Sequence, residues 1–254
     1  MAIEPASACN SPRSADRATR WLLIAVGVYS AIVVGLLNAV VHSSGSVKDR
    51  AILLMADGMI VLWIIAGGSL TAMFGRQVAS RVGAVPLDWR VRFVVGCTLL
   101  ALVEEVITTS MTNLAPLMGT TPEEAHITAS TNYFVVVCFH SVVMFVPMFI
   151  TWAWMLSRWA FSPLKVMLLF GITGSFAEAS INPTSLIGGF WVFVYGLMVY
   201  LPACTVPSDR GARPPCWWHY PLAVFLPLLS VIPVVPAVIV LRDWLDIQFL
   251  PGVT

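Results

Sequence analysis

Charged side chains are scarce in this sequence. Lys, Arg, Asp and Glu together make up 11% of the 254 residues, whereas a soluble globular domain carries about 25%. Apolar residues make up 58%, and the mean hydropathy is +0.86. This composition excludes a water-soluble enzyme, because too few polar side chains remain to cover a folded surface.

The sequence also lacks a basic cluster and a cysteine framework. Lys and Arg number 14 against 13 Asp and Glu, which leaves a net charge of +1. Nucleic acid is therefore not an expected partner, because that affinity depends on neutralising many phosphates. The five cysteines do not form the spacing pattern of an extracellular disulfide scaffold. No internal repeat is evident either.

Long apolar segments take the place of a mixed surface. Seven of them approach the roughly 20 residues that a helix needs to cross a bilayer. They cover approximately residues 21–41, 51–73, 91–109, 133–156, 164–182, 186–204 and 221–241. The sequence therefore predicts an all-α, polytopic integral membrane protein. It would have a tail at residues 1–20, a seven-helix transmembrane domain at residues 21–241 and a short C-terminal tail at residues 242–254.

Basic residues alternate between the predicted loops. Eleven of the 14 lie in the N-terminal tail and in the loops after the second, fourth and sixth segments. Because Lys and Arg favour the cytoplasmic side, we predict a cytoplasmic N-terminus and an outer C-terminus. The first segment is longer than a signal-peptide core, so we interpret it as an uncleaved anchor. The short loops indicate a multi-pass protein of a prokaryotic plasma membrane.

Ionisable residues within the predicted membrane segments are the candidates for function. Each costs about 2.5–3.5 kcal/mol to insert, so such residues are seldom without a role. A helix rises 1.5 Å per residue, and counting from the midpoint of each segment places the ionisable residues of four segments roughly 6–8 Å towards the outer face. These are Asp57, Glu104, His140 and Glu178, with Glu105 beside Glu104. Asp57 is close to the start of its segment and could instead face the outer interface.

No Lys or Arg is predicted at the depth of these acids. Their partner is therefore either a proton or a cation. Three carboxylates and one imidazole suit a divalent metal such as zinc, with Glu104, His140 and Glu178 as ligands. The alternative interpretation is that the same residues form hydrogen-bonded struts that only fix how the helices pack.

Helix phase and local motifs give three further predictions. Small and polar residues share one face of the fifth segment, which favours close packing against a neighbouring helix: Gly171, Gly174, Ser175, Glu178 and Asn182. Thr121, Pro122 and Glu124 have the spacing of a helix start, which predicts an outer helix that continues into the fourth segment. The prolines of the fourth and seventh segments predict kinks: Pro147, Pro227, Pro233 and Pro236.

Three motifs between residues 95 and 185 resemble those of the CAAX-processing and bacteriocin-processing intramembrane proteases, the CPBP or Abi family. The family motifs are Glu-Glu-x-x-x-Arg, Phe-x-x-x-His and His-x-x-x-Asn or Asp. The corresponding residues here are Glu104, Glu105 and Thr109, then Val136 and His140, then Glu178 and Asn182. Order and spacing agree, but Thr109, Val136 and Glu178 differ from the family residues. The resemblance implies that a glutamate activates water while His140 and Asn182 hold the substrate oxygen or a metal.

Three hypotheses for function follow. The first is a membrane-embedded hydrolase, with or without a metal, that acts on a peptide or lipid in the outer half of the bilayer. Its core helices would lie at about residues 91–182, and its catalytic residues would be Glu104, Glu105, His140 and Asn182. The second is a proton- or cation-coupled transporter that uses the same carboxylates. The third is a non-catalytic membrane subunit. The sequence predicts neither the oligomeric state nor the identity of partner proteins.

Overall fold

A computed structural model describes residues 15–252, and this part of the chain is helical without any β-strand. The first half begins with α1, Ala15–Ser44. Helix α2, Val47–Met59, continues through a π-helical stretch, Ile60–Gly67, into α3, Gly68–Gly83, and α4 covers Trp89–Asn113. Residues 1–14 lie outside the described residues, and with them Cys9, Arg13 and most of the predicted cytoplasmic tail.

The second half contains seven helices, two of which are single or double turns. In chain order they are α5 Tyr133–Phe139, α6 Val142–Arg158, α7 Pro163–Ile181, α8 Ser185–Gly188, α9 Trp191–Cys204, α10 His219–Val231 and α11 Val234–Trp244. A short 3₁₀ turn, Ala115–Met118, follows α4.

Several of these helices can cross a membrane. Three of the described helices are long and apolar enough to do so, namely Asp16–Ser44, Val47–Gly83 and His219–Trp244. The pair α5 and α6, bent by 43°, makes a fourth if it is one broken span. The prediction of an all-α protein is thus confirmed for the described residues, and three to four of its helices have the length and composition of membrane spans, compared with the seven predicted.

Side-chain caps explain where two of the helices begin. Ser46 and Asp49 form a capping box at α2, in which each side chain accepts a hydrogen bond from the other residue's backbone N–H. The Asp88 carboxylate accepts from the Arg90 N–H at 2.8 Å and so starts α4. These contacts satisfy backbone donors that have no partner inside the helix.

Helices α7 and α9 pack more extensively than any other pair of described helices. Gly171 faces the backbone of Val192, and Gly174 faces the ring of Tyr195, both so closely that a Cβ would overlap them. The glycines of the predicted small-residue face thus pack against a neighbouring helix, whereas Asn182 lies beyond the end of α7. Around this pair the core is largely aromatic, with Phe93, Phe149, Trp152 and Phe170 fully buried.

The predicted outer helix starting at Thr121 is wrong, because residues 121–132 form turns. The Glu124 carboxylate does fold back, accepting from the Thr120 hydroxyl at 3.0 Å and from the Thr121 N–H at 3.4 Å. These local bonds close a turn instead of starting a helix. Helix α5 is capped later by Asn132, whose side chain accepts from the Phe134 N–H at 3.0 Å.

Breaks in the helices coincide only partly with the predicted kinks. Helix α10 ends at Val231 and α11 begins at Val234, immediately after Pro233, as the prolines predicted. The other break lies between α5 and α6 at His140 and Ser141, whereas Pro147 lies inside α6. Pro147 cannot donate to the carbonyl of Val143, but that bond would lie inside α6, so the proline does not account for the break.

Candidate functional site

A cavity of about 620 Å³ lies between α4, the break of α5 and α6, α7, α9 and the last two helices. Its walls are mostly apolar, but one region carries acidic, imidazole and hydroxyl groups. The polar residues of that region are Glu104, Glu105, Thr108, His140, Ser141, Glu178 and Tyr195. The structure therefore brings together four of the predicted site residues, Glu104, Glu105, His140 and Glu178, from three separate segments of the chain.

Glu104 differs from the neighbouring acids in its hydrogen bonds. Its side chain is buried, with a residue exposure of 4%, and it interacts electrostatically with Glu105 and Glu178. Among residues 15–252 no group donates a hydrogen bond to its carboxylate. A carboxylate that lines a cavity without a protein donor is free to bind water or a ligand group.

Glu105 is held in place by a neighbouring hydroxyl group. The Thr108 hydroxyl, one turn further along α4, lies 3.3 Å from its carboxylate. Ser141, at the start of α6, lies near the same side chain, and its hydroxyl is 3.5 Å from the Val136 carbonyl. Glu105 therefore places a carboxylate of α4 beside the helix break at the cavity wall.

Tyr195 belongs to the site although the sequence did not indicate it. Its hydroxyl donates a hydrogen bond to the Glu178 carboxylate. The ring packs edge-on against Phe145 at 5.6 Å and stacks with Trp191 at 5.9 Å, measured between ring centroids. Gly174, one turn before Glu178, leaves the space that the ring occupies. That glycine is the only signal in the sequence that a large side chain approaches here.

His140 lies at the break between α5 and α6. Its ring meets the ring of Phe249 edge-on, with 5.6 Å between centroids. The Nδ1 atom is buried and has no hydrogen-bond partner in the described part of the chain. The 17-residue helix α6 starts two residues later, so its N-terminal partial positive charge lies close to the acids and favours negative charge there.

Asn182 does not line this cavity, although it was predicted as a catalytic residue. It follows the last residue of α7, and its side chain accepts from the N–H of Thr184 at 3.1 Å and from its hydroxyl at 2.7 Å. It lines a neighbouring cavity of about 890 Å³ that shares His140 and Glu178 with the first. Asn182 thus shapes the loop after α7 and contacts the site only through that second cavity.

The predicted metal site has no geometric support. No three His, Cys, Asp or Glu side chains in residues 15–252 are placed to hold a metal ion. Glu104, His140 and Glu178 line one cavity without forming such a group.

Asp57 belongs to a separate polar contact. Its carboxylate accepts a hydrogen bond from the Asn38 amide at 3.2 Å, which joins α1 to α2. It is not among the residues that line the 620 Å³ cavity. Asp57 is therefore not part of this site, and the alternative that it faces the outer interface stays a prediction.

The C-terminal residues contribute to the cavity, contrary to their predicted role as a tail from residue 242. Helix α11 continues to Trp244, which places Arg242 in its last turn and on the cavity wall. The chain then folds back, and the Leu250 N–H donates to the Ala129 carbonyl at 2.8 Å. This return brings Phe249 against His140.

The contact between Tyr195 and Glu178 predicts a measurable coupling. Tyr195→Phe should lower the free energy of unfolding by about 1–3 kcal/mol, because a hydrogen bond to a buried acid is lost. In a double-mutant cycle with Glu178→Gln, the two effects should deviate from additivity by at least about 0.5 kcal/mol. Unfolding in mixed micelles of neutral and denaturing detergent would measure this. Strictly additive effects would show that the two side chains do not interact.

No protein-family model, curated protein or solved structure matches this chain. The resemblance to the CPBP or Abi family therefore rests on its three motifs alone.

Proposed function

We propose that this protein is a membrane-embedded hydrolase with Glu104 as its general base. The observation that carries the proposal is the Glu104 carboxylate, buried and without a protein donor among residues 15–252, in a cavity of about 620 Å³ beside His140 and Tyr195. Order and spacing of the CPBP-like motifs support the same reaction class. No step of the reaction is derived through a metal, because no ligand group has the required geometry.

The reaction needs only the groups on the cavity wall. Glu104 accepts a proton from a water molecule as the water oxygen attacks the carbonyl carbon of an ester or amide. Negative charge develops on the carbonyl oxygen and is stabilised by nearby donors and by the N-terminal end of α6. When the tetrahedral intermediate collapses, the bond to the leaving group breaks and Glu104 returns the proton to that group. His140 is positioned to donate to the oxyanion, and Glu178 orients Tyr195.

We further propose seven spans in a plasma membrane, with the N-terminus in the cytoplasm and the C-terminus outside. Helices α4 and α7 have 25 and 19 residues, hence lengths of about 38 and 29 Å. The hydrocarbon core is about 30 Å thick, so both can cross as inner helices shielded by their neighbours. The alternation of basic residues between the loops supports this topology.

The topology predicts which loops are accessible from outside the cell. Ser43 and Ser80 are both exposed, at the end of α1 and near the end of α3. In intact cells a membrane-impermeant maleimide should label Ser43→Cys and leave Ser80→Cys unlabelled until the membrane is opened. Native cysteines provide the background, so the unsubstituted protein is the control. Labelling of Ser80→Cys alone would show that the orientation is reversed.

A proton- or cation-coupled transporter is the second candidate. Two observations favour it, namely the helix break at His140 and the second cavity of about 890 Å³, which shares His140 and Glu178 with the first. Transporters often place interrupted helices and acidic residues at a substrate or ion site. In this hypothesis the carboxylates would exchange protons between the two cavities.

One pair of measurements separates the candidates. Purified protein in neutral detergent is incubated with 4-nitrophenyl decanoate and with a quenched-fluorescent apolar peptide. The same preparation in liposomes is tested for proton flux under an imposed pH gradient. Turnover of either probe without flux supports the hydrolase, whereas flux without turnover supports the transporter. A protein that does neither would fit the non-catalytic subunit.

A further inference from the structure

The cavity is partly open to the outside of the protein. Several of the residues that line it are exposed and apolar, among them Phe176 on α7 and Ile239 on α11. Ile232, at the break between α10 and α11, is 61% exposed and also lines the cavity. A ligand in the bilayer can therefore reach the cavity between α7 and the last two helices without crossing a polar barrier.

The inner surface along this route is apolar. Leu228, Val231, Val235 and Val238 of α10 and α11 line the cavity on the side opposite to the polar residues of α4. Such a wall excludes small hydrated ligands and favours a hydrocarbon chain, since the contact removes apolar surface from water. The cavity volume lies within the range typical of pockets that hold ligands of this kind, roughly 300–1,000 Å³.

Arg242 supplies the one positive charge among the described residues that line the cavity. Its guanidinium lies 5.1 Å from the centroid of the Phe249 ring and donates to the Asp243 carboxylate at 3.1 Å. The Asp243 side chain is 63% exposed, so this ion pair is screened by water and weak. The remaining donors of Arg242 are available to an anion.

Phe249 contacts both the Arg242 guanidinium and the His140 ring, and all three residues line the cavity. The cavity therefore combines an anion-binding end, an apolar wall and a reactive acid.

We propose that the cavity binds an anionic amphiphile with a single hydrocarbon chain, whose head group lies at Arg242 and whose chain lies along α10 and α11. The amphiphile is the substrate class of the proposed hydrolase. Its turnover depends on that proposed function, whereas its binding does not. The chain would enter between α7 and α11 from the bilayer, and the carbonyl to be cleaved would lie beside Glu104.

Binding of radiolabelled oleate to the purified full-length protein in neutral maltoside tests this proposal, with oleyl alcohol as the uncharged probe. Arg242→Gln should weaken oleate binding by about tenfold or more, because a charge-assisted contact is lost, and should leave oleyl alcohol binding unchanged. Arg50→Gln, an exposed arginine of α2 outside the cavity, is the matched control and should have no effect. Equal binding of both probes by the unsubstituted protein would overturn the proposal.

Two valines of α11 test the position of the chain. Val235 lines the cavity, whereas Val240 is exposed and does not. Val235→Trp should reduce the binding of both probes, while Val240→Trp should reduce neither. If Arg242→Gln does not fold, Arg242→Lys provides the test of charge, and it should retain oleate binding. Loss of binding in Val240→Trp alone would contradict the assigned path.

The same preparation distinguishes failure of this inference from failure of the hydrolase. Glu104→Gln should bind oleate as the unsubstituted protein does, with hydrolysis lost. Hydrolysis of the ester probe without any Arg242-dependent binding would overturn the amphiphile and leave the hydrolase. Arg242-dependent binding without hydrolysis of any probe would overturn the hydrolase and leave the amphiphile site.

Discussion

Glu104→Gln is expected to lower the rate of probe hydrolysis by about 10²- to 10⁴-fold, the usual contribution of a general base. Glutamine has nearly the same shape as glutamate but cannot accept the proton of the attacking water. Because no described residue donates a hydrogen bond to the Glu104 carboxylate, the substitution breaks no protein contact. The folded state should therefore remain as stable as in the unsubstituted protein. The measurement is the initial rate with 4-nitrophenyl decanoate, beside the melting temperature.

Two further glutamates serve as controls for Glu104. Glu105→Gln should reduce activity less, because Glu105 already accepts from Thr108 and so has a positioning role. Glu123→Gln, in the exposed turn after α4, should leave the rate unchanged. If Glu105→Gln abolished activity while Glu104→Gln retained it, the assignment of the general base would be wrong.

The acidic part of the site was predictable because depth in a membrane follows from counting residues. A helix rises 1.5 Å per residue, so the position of each acid in its segment gives its height. On this basis Asp57, Glu104, His140 and Glu178 were expected in one layer. The last three line one cavity, whereas Asp57 does not. Tyr195 could not be predicted in this way. An uncharged aromatic residue in an apolar helix has no large free-energy cost of insertion that would require a partner.

Other features depended on contacts that the sequence does not encode locally. The break between α5 and α6 contains neither proline nor glycine at Phe139, His140 and Ser141, so no residue there predicted it. Pro147 predicted a kink at a position further along α6. Asn182 has the motif spacing from Glu178, but α7 ends at Ile181, so the expectation of a shared helical face failed. Phe249 reaches the cavity because the chain after α11 folds back, which is a tertiary contact.

The close packing of α7 on α9 leads to the second large effect, in Gly171→Ala. A Cβ at Gly171 would overlap the backbone carbonyl of Val192, and backbone within a helix cannot move aside as a flexible side chain can. We therefore expect a loss of about 3 kcal/mol in the free energy of unfolding, at the upper end of the usual cost of overpacking. The displacement of α9 should also lower activity, since α9 carries Tyr195.

Gly35→Ala is the matched control for this substitution. Gly35 is also inside a helix, α1, but nothing lies within 4 Å of a Cβ built there. Alanine favours helix over glycine by up to about 1 kcal/mol, so this variant should be as stable as the unsubstituted protein or slightly more stable. Unfolding of both variants in mixed micelles measures the difference. Equal stability of Gly171→Ala and Gly35→Ala would mean that α7 and α9 do not approach as closely as the glycines require, and the position of Tyr195 beside Glu178 would then lose its support.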